Sequence, residues 1–179
     1  MGDAGAATLG VVPGRAPRRI TPHPRGRLFT VYSTVSGTSR LGIWFSRKVL
    51  WRLDPFLLRV TGGRFSLGLG LPTLLLETTG ARTGQLREHA VIYFSDGDGL
   101  IIVASKFGDP EHPAWFHNAR RNPHVRVNGL PYLAAVVEHD AEIDRLWGLA
   151  DQVLPAYAVY RERAAETGRT IPILRLTPG

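Results

Sequence analysis

Two arginines, Arg82 and Arg87, sit in the stretch "TTGARTGQLRE" (residues 78–88), among Thr78, Thr79, Thr83 and two glycines, Gly80 and Gly84. Guanidinium forks, hydroxyls and turn amides together suit a phosphate or carboxylates, at about 1.5–3 kcal/mol per charge-assisted hydrogen bond. A short connection between two strands has no need of so much cationic chemistry. Ser105 and Lys106 form a second polar group at the end of "LIIVASK". If that run pairs as a hairpin with the strand before it, Arg82, Arg87 and Lys106 converge on one anion site.

Other chemistries lack their residues. There is no cysteine, so thiol nucleophiles, disulfides and thiolate-metal sites are excluded, and a reducing cytoplasmic setting is permitted. The six histidines form no HExxH order and His112 and His117 have no carboxylate placed as a third ligand, so no metal site is expected. Gln85 follows Gly84 where a nucleotide phosphate loop needs Lys, "GLGLPT" fails the dinucleotide fingerprint, and no G-x-S-x-G elbow exists. "DGDG" is a hairpin turn and not a calcium loop, because the third ligand and the closing Glu are missing.

The net charge of +7 is unevenly spread. Residues 1–72 hold 11 basic side chains against Asp3 and Asp54, whereas residues 73–179 hold 11 basic against 13 acidic. The body is therefore nearly neutral, and no zinc, helix-turn-helix or stacking-sheet signature supports a nucleic-acid partner. The start "MGDAGAATLG" has no apolar signal core, and no run reaches the roughly 18 apolar residues of a spanning helix.

The elements that must position these groups follow from periodicity. With 179 residues the chain is one domain. Pro, Gly and Arg dominate the first residues and predict a disordered basic arm over 1–38. Leu41, Trp44, Phe45, Val49 and Leu53 recur at helical spacing with Arg40, Arg47, Lys48 and Arg52, predicting an amphipathic helix within 39–60 that stops near Asp54-Pro55. That helix reads either as packed on its own domain or, with residues 15–60, as resting on an anionic membrane surface. The second reading makes the protein peripheral on the inner face of the cell membrane.

Over 61–179 strands are predicted at "TLLLET", Arg87–Ser95, Leu100–Lys106, "HVRVNG", "YLAAVVEH" and "TIPILRL", with helices at "HPAWFHNARR", from an Asp140 cap through Trp147, and at "PAYAVYRERAAE". Strands with helices inserted late argue a mostly antiparallel sheet or barrel of the α+β class. Nothing in the pattern distinguishes a monomer from a dimer.

"LLLETTGARTGQLRE", "VIYFSDGDGLIIVASKFG" and "HPAWFHNARRNPHVRV" resemble the deazaflavin-dependent nitroreductase and quinone reductase family. Its members are split β-barrels of flavin-reductase-like fold that use the reduced 8-hydroxy-5-deazaflavin coenzyme F-420. The resemblance is gap-free from Leu74 to Val127, weaker from Tyr157 to Leu176 and absent from residues 1–30. It implies that Ala81, Arg82, Thr83, Gly84 and Arg87 hold the phosphate and glutamyl tail. It implies further that Glu88, His89, Ala90, Val91 and Ile92 line the cofactor, that Val103, Ala104, Ser105 and Lys106 lie along the deazaflavin, and that Ala114, Trp115 and Asn118 close the site. Ala81, Leu86, Ala90 and Phe107 depart from the family's basic residue, two prolines and a glycine.

The activity so implied is hydride transfer from reduced F-420 to a small-molecule electron acceptor, a quinone, nitroaromatic or similar planar electrophile. Tyr160, Tyr157 and Ser105 are the expected catalytic residues, Tyr157 and Tyr160 sharing a helix face on the substrate side. Two ordinary packing aromatics are the competing reading. A flavin mononucleotide in the same barrel, or a non-catalytic deazaflavin or lipid carrier, is the alternative function.

Overall fold

The computed structural model describes residues 15–24, 26–45, 51–67 and 70–179. Six strands form it: β1 (Thr73–Thr79), β2 (Leu86–Asp96), β3 (Gly99–Val103), β4 (His124–Val127), β5 (Leu130–Val136) and β6 (Ile173–Pro178). They close a barrel in the order β1-β2-β3-β6-β5-β4, with every neighbouring pair antiparallel. This is the expected α+β barrel with flanking helices.

Alternation along the strands divides the apolar residues between two cores. Leu74, Leu76, Val91, Tyr93, Ile102, Val127 and Leu176 fill the barrel. Phe94, Ile101, Val103 and Ile173 point outward and are covered by α5 (Asp140–Val153) and α6 (Ala156–Glu166). β3 is consequently buried along its whole length, which is why "GLIIV" is apolar without alternation. α4 (Ala114–Arg121) sets Trp115, Phe116 and Ala119 against the barrel core.

Turn chemistry fixes the register. Asn128 and Gly129 adopt φ of 48° and 85°, the geometry of the tight hairpin joining β4 to β5. Asn128 also seals the seam with β1, since its amide donates to the Leu75 carbonyl (2.9 Å) and its Oδ1 accepts from the Leu75 amide (2.9 Å). At the other end Asp96 of β2 accepts both Arg145 nitrogens (2.8 Å each) and Arg175 Nη2 (2.6 Å). These hydrogen bonds hold its carboxyl well below the usual carboxylate range and brace α5 and β6 onto β2.

Three expectations about the first third need correction. Residues 15–24 do not form a loose arm. Ile20 exchanges hydrogen bonds with Ser95 (3.0 Å to Oγ and 2.8 Å from its amide) and packs against both cores, while Tyr93 donates to the Arg18 carbonyl (2.9 Å). Residues Arg27–Thr38 are a helix, α1, which lies against α6, where Arg163 Nη2 donates to the Thr38 carbonyl (2.9 Å).

The predicted amphipathic helix appears as α2 (Arg40–Phe45) and α3 (Trp51–Val60), with Arg47, Lys48 and Val49 outside the described residues. α3 also runs through Pro55 instead of stopping there. As the fifth residue of α3, Pro55 brings no N–H to the carbonyl one turn before it, and the helix forgoes that bond. Buried Asp54 secures the helix to the following loop, accepting from Leu67 N (2.6 Å) and Ser66 Oγ (3.0 Å).

Later boundaries shift less. β3 ends at Val103, three residues before Lys106, because Lys106 and Phe107 turn left-handed at φ 47° and 57°. Asp140 opens α5 as a helical residue, with His139 at the cap position, and the helix continues to Val153.

Candidate functional site

The β1–β2 turn is self-contained. Gly80 N donates to Gln85 O and Gly84 N to Gly80 O, both at 2.8 Å. Gly84 sits at φ 66°, and a Cβ on Gly80 would lie 2.8 Å from Thr83 Oγ1 and 3.1 Å from Gln85 O, so both glycines are required. Asn118 of α4 anchors this turn: its Oδ1 accepts from Ala81 N (2.9 Å) and its Nδ2 donates to Thr78 Oγ1 (3.0 Å), with Asn118 and Thr78 both buried below the turn.

The amides of Gly80, Ala81 and Gly84 are therefore engaged, leaving those of Arg82 and Thr83 outside these bonds. Arg82 and Arg87 are exposed. Arg87 donates to Gln85 Oε1 (2.9 Å), and among the described residues Arg82 forms no ion pair. Two guanidinium forks project from a rigid turn with little internal demand on them.

The β2–β3 hairpin ladder, expected to draw Arg82, Arg87 and Lys106 together, does not extend as far as Arg87 or Lys106. β2 is shared: Leu86–Ile92 pair with β1, and only Tyr93–Asp96 pair with β3. Arg87 thus faces Thr78, and Lys106 has carboxylates of its own, Glu111 (3.3 Å) and Asp109 (3.9 Å).

Strand alternation also splits the run 87–92. Arg87, His89 and Val91 lie opposite Thr78, Leu76 and Leu74 on the barrel-interior side, whereas Glu88, Ala90 and Ile92 lie on the outer side opposite Glu77, Leu75 and Thr73. These residues cannot all line one wall. On the outer side Glu88 pairs with Arg59 of α3 (3.2 Å), and burial, against the pull of Arg126, raises the Glu77 carboxyl above its ordinary range. On the inner side His89 Nε2 is buried with no hydrogen-bond partner among the described residues. Burial first, then Arg87, lowers its pKa, so the imidazole is neutral near pH 7.

After β3 the chain reverses sharply. Lys106, Phe107 and Gly108 are all left-handed, at φ 47°, 57° and 79°. For the two non-glycine residues this conformation costs about 1–3 kcal/mol each, strain that surrounding contacts must hold. Phe107 packs edge-on against Tyr160 (5.7 Å between centroids), and Gly108 passes directly under the Tyr160 carbonyl.

Tyr157 and Tyr160 are both 3% exposed. Tyr157 lies between Trp147 and Tyr160, at 6.1 Å from each, inside the outer core. Tyr157, expected on the substrate side, thus has aromatic packing partners on both sides. Burial pushes both phenols up, so each stays protonated across the physiological range. Trp115 likewise belongs to the barrel core, while Ala114 at the start of α4 is exposed. Val103 and Ala104 are buried, and Ser105 is partly exposed.

A family model described as F-420H(2)-dependent quinone reductase matches residues 50–178. The chain belongs to this family. Its members are oxidoreductases whose cofactor is coenzyme F-420. An F-420H(2)-dependent quinone reductase of Mycobacterium tuberculosis is 39% identical over 145 residues, covering 75% of this chain and 95% of the relative. Among solved structures, an F-420-H2 dependent reductase is 35% identical with a TM-score of 0.50, covering 59% of this chain and 93% of that one. A chain solved as a domain-swapped dimer is 33% identical with a TM-score of 0.53, covering 65% and 86%.

Membership in the quinone reductase family extends beyond the Leu74–Val127 stretch on which the motifs lie. One side chain that the motifs do not flag stands out in this reductase. Arg169 is 7% exposed and gathers the Ala104–Asp109 span through its guanidinium. Its sequence signal is slight: a glycine just past a helix, Gly168 at φ 72°, and then a cation before a buried strand.

Proposed function

We propose that this chain transfers a hydride from reduced F-420 to a quinone or a similar planar electrophile such as a nitroaromatic. The observation that carries the reading is the Gly80–Gln85 turn, internally bonded and leaving Arg82 and Arg87 exposed to solvent, in a chain of this family. Two cationic forks fit the anionic phosphate and glutamyl tail. When bound, the coenzyme supplies the hydride equivalent, and the quinone takes up a proton to become a hydroquinone.

The chain's own residues do the rest. Arg82, Thr83 and Arg87 bind the tail, and Asn118 keeps their turn in place. Ser105 and the left-handed Lys106–Phe107 pair set one edge of the site, and Tyr160, held protonated by burial, donates a hydrogen bond to the acceptor oxygen as charge develops on it.

Mixing reduced F-420 and menadione with the protein should produce the absorbance of oxidised deazaflavin. A carrier would bind the cofactor and leave it reduced. Tyr160→Phe should lower kcat about tenfold, equivalent to ~1.4 kcal/mol of transition-state stabilisation. Unchanged turnover would return Tyr160 to packing alone.

We also propose that the N-terminal region rests on an anionic membrane surface, placing a cytoplasmic enzyme where lipid-soluble quinones arrive. No helix among the described residues is long and apolar enough to cross a membrane. Support comes instead from exposed Leu41 and Trp44 on α2 and from Leu53, Phe56 and Val60, which share one face of α3, within a cation-rich segment. Full-length protein should pellet with anionic vesicles at low salt and be released at high salt, and a Trp44→Ser, Phe56→Ser chain should pellet several-fold less. Binding indifferent to lipid charge would remove this proposal.

A further inference from the structure

Arg169 leaves the end of α6 and points under the loop that follows β3. Among the described residues its guanidinium makes no ion pair within 4.0 Å, although it is buried; the Asp109 carboxylate favours its charge from farther off, against the cost of burial. All of its N–H groups instead meet neutral acceptors. Nε donates to His112 Nδ1 (3.1 Å), Nη1 to the carbonyls of Ser105 (3.1 Å) and Asp109, and Nη2 to those of Ala104 and Ser105 (3.2 Å).

A planar group with five donors is used to saturation, and only arginine has one. The carbonyls it gathers belong to a single span, 104–109, which holds the strained Lys106 and Phe107. Within that span the Gly108 amide bonds the Ser105 carbonyl and the Asp109 amide the Lys106 carbonyl, both at 3.0 Å. On its other side the loop rests Phe107 and Gly108 against Tyr160, so packing meets it there and hydrogen bonds meet it from Arg169.

We propose that Arg169 is a positioning residue for the cofactor site: its guanidinium holds the Ala104–Asp109 loop in the shape that presents Ser105 and Lys106. The inference rests on the deazaflavin reading above for what the loop is presented to. It does not rest on that reading for the hold itself.

His112 is the dependent partner. To accept through Nδ1 it must be unprotonated there, and desolvation followed by the nearby charges of Arg169, His117, Arg120 and Lys106 favours the neutral ring. Acidification through the His112 titration places a second cation against the guanidinium and loosens the loop. Binding that depends on the loop weakens with it.

The experiment compares the full chain with Arg169→Gln, Arg169→Lys, His112→Gln and, as a stability control, Arg175→Gln, whose side chain bonds Asp96 and Glu142. Amide exchange at Gly108 and Asp109 should accelerate at least tenfold in Arg169→Gln and less in Arg169→Lys. The Kd for reduced F-420 should rise at least tenfold in Arg169→Gln while the KM for menadione changes less than threefold. Arg175→Gln should lower the melting temperature and leave the cofactor Kd unchanged.

In the native chain the cofactor Kd should worsen toward acid by more than in His112→Gln, whose amide accepts at any pH. Unchanged exchange in Arg169→Gln overturns the hold on the loop. Accelerated exchange with a native Kd overturns its role in the site. A native chain that prefers flavin mononucleotide defeats the deazaflavin reading instead, and the exchange comparison still decides what Arg169 does. Should Arg169→Gln not fold, Arg169→Lys and His112→Gln decide both questions by the same two measurements, exchange at Gly108 and Asp109 and the cofactor Kd.

Discussion

Replacing Arg82 and Arg87 together with alanine is expected to raise the Kd for reduced F-420 about a hundredfold. Each guanidinium supplies a charge-assisted hydrogen bond of about 1.5–3 kcal/mol, and discounting for solvent screening at an exposed turn leaves about tenfold per residue. Folding should be spared. Arg87 gives up one bond to Gln85, and the turn is held by Gly80, Gly84 and Asn118, not by either arginine. Fluorescence titration measures it, alongside flavin mononucleotide, which the native chain should bind at least tenfold more weakly. Loss of less than threefold in the double variant would move the tail elsewhere on the surface. Equal affinities for the two cofactors would favour the flavin alternative.

Gly108→Ala should be among the most damaging single changes. The added methyl would stand 2.7 Å from the Tyr160 carbonyl oxygen, 2.8 Å from Arg163 Cβ and 3.1 Å from Tyr160 Cα, two of the three being helix backbone that cannot step aside. Strain at φ 79° adds to the clash. We expect a loss of about 3 kcal/mol or more, roughly 6–12 °C in melting temperature for a chain of this size, with turnover falling as the loop is pushed off α6. Gly97→Ala is the matched control. It shares the left-handed backbone, at φ 59°, but has nothing within 4 Å of the new Cβ, so strain of about 1 kcal/mol is all it should show. Equal losses in the two variants would mean that α6 does not press on Gly108.

Local signals in the sequence were reliable where a residue pair commits the backbone. The Asp-Gly pairs before β3 placed a hairpin that the structure contains, and the apolar run after them placed a strand. Signals failed where a distant contact overrode the local preference. Pro55 did not stop α3, whose buried Asp54 is held by Ser66 and Leu67 of the following loop. The arm of low apolar content did not stay loose, because one isoleucine, Ile20, found both cores and the exposed end of β2.

The cationic turn was legible because its chemistry is contained in eleven consecutive residues. Its relation to Lys106 was not, since a hairpin argument cannot see that β2 changes partner at Tyr93. Nor could a motif separate Glu88, Ala90 and Ile92 from their alternate neighbours without the register to β1. Arg169 was invisible for the same reason: each of its bonds crosses at least 57 residues of chain.

The place of β6 in the barrel has a consequence for how the molecule comes into being. It lies between β3 and β5, so the strand synthesised last of the six joins two edges made much earlier. Until Ile173–Pro178 emerges, the ring is an open ribbon with two unpaired margins, each a template for another chain. Pairings of such long sequence separation form slowly, and the interval before closure is when nascent copies are most able to stick to one another. How quickly this final stave finds its slot therefore bears on yield separately from the finished barrel's stability.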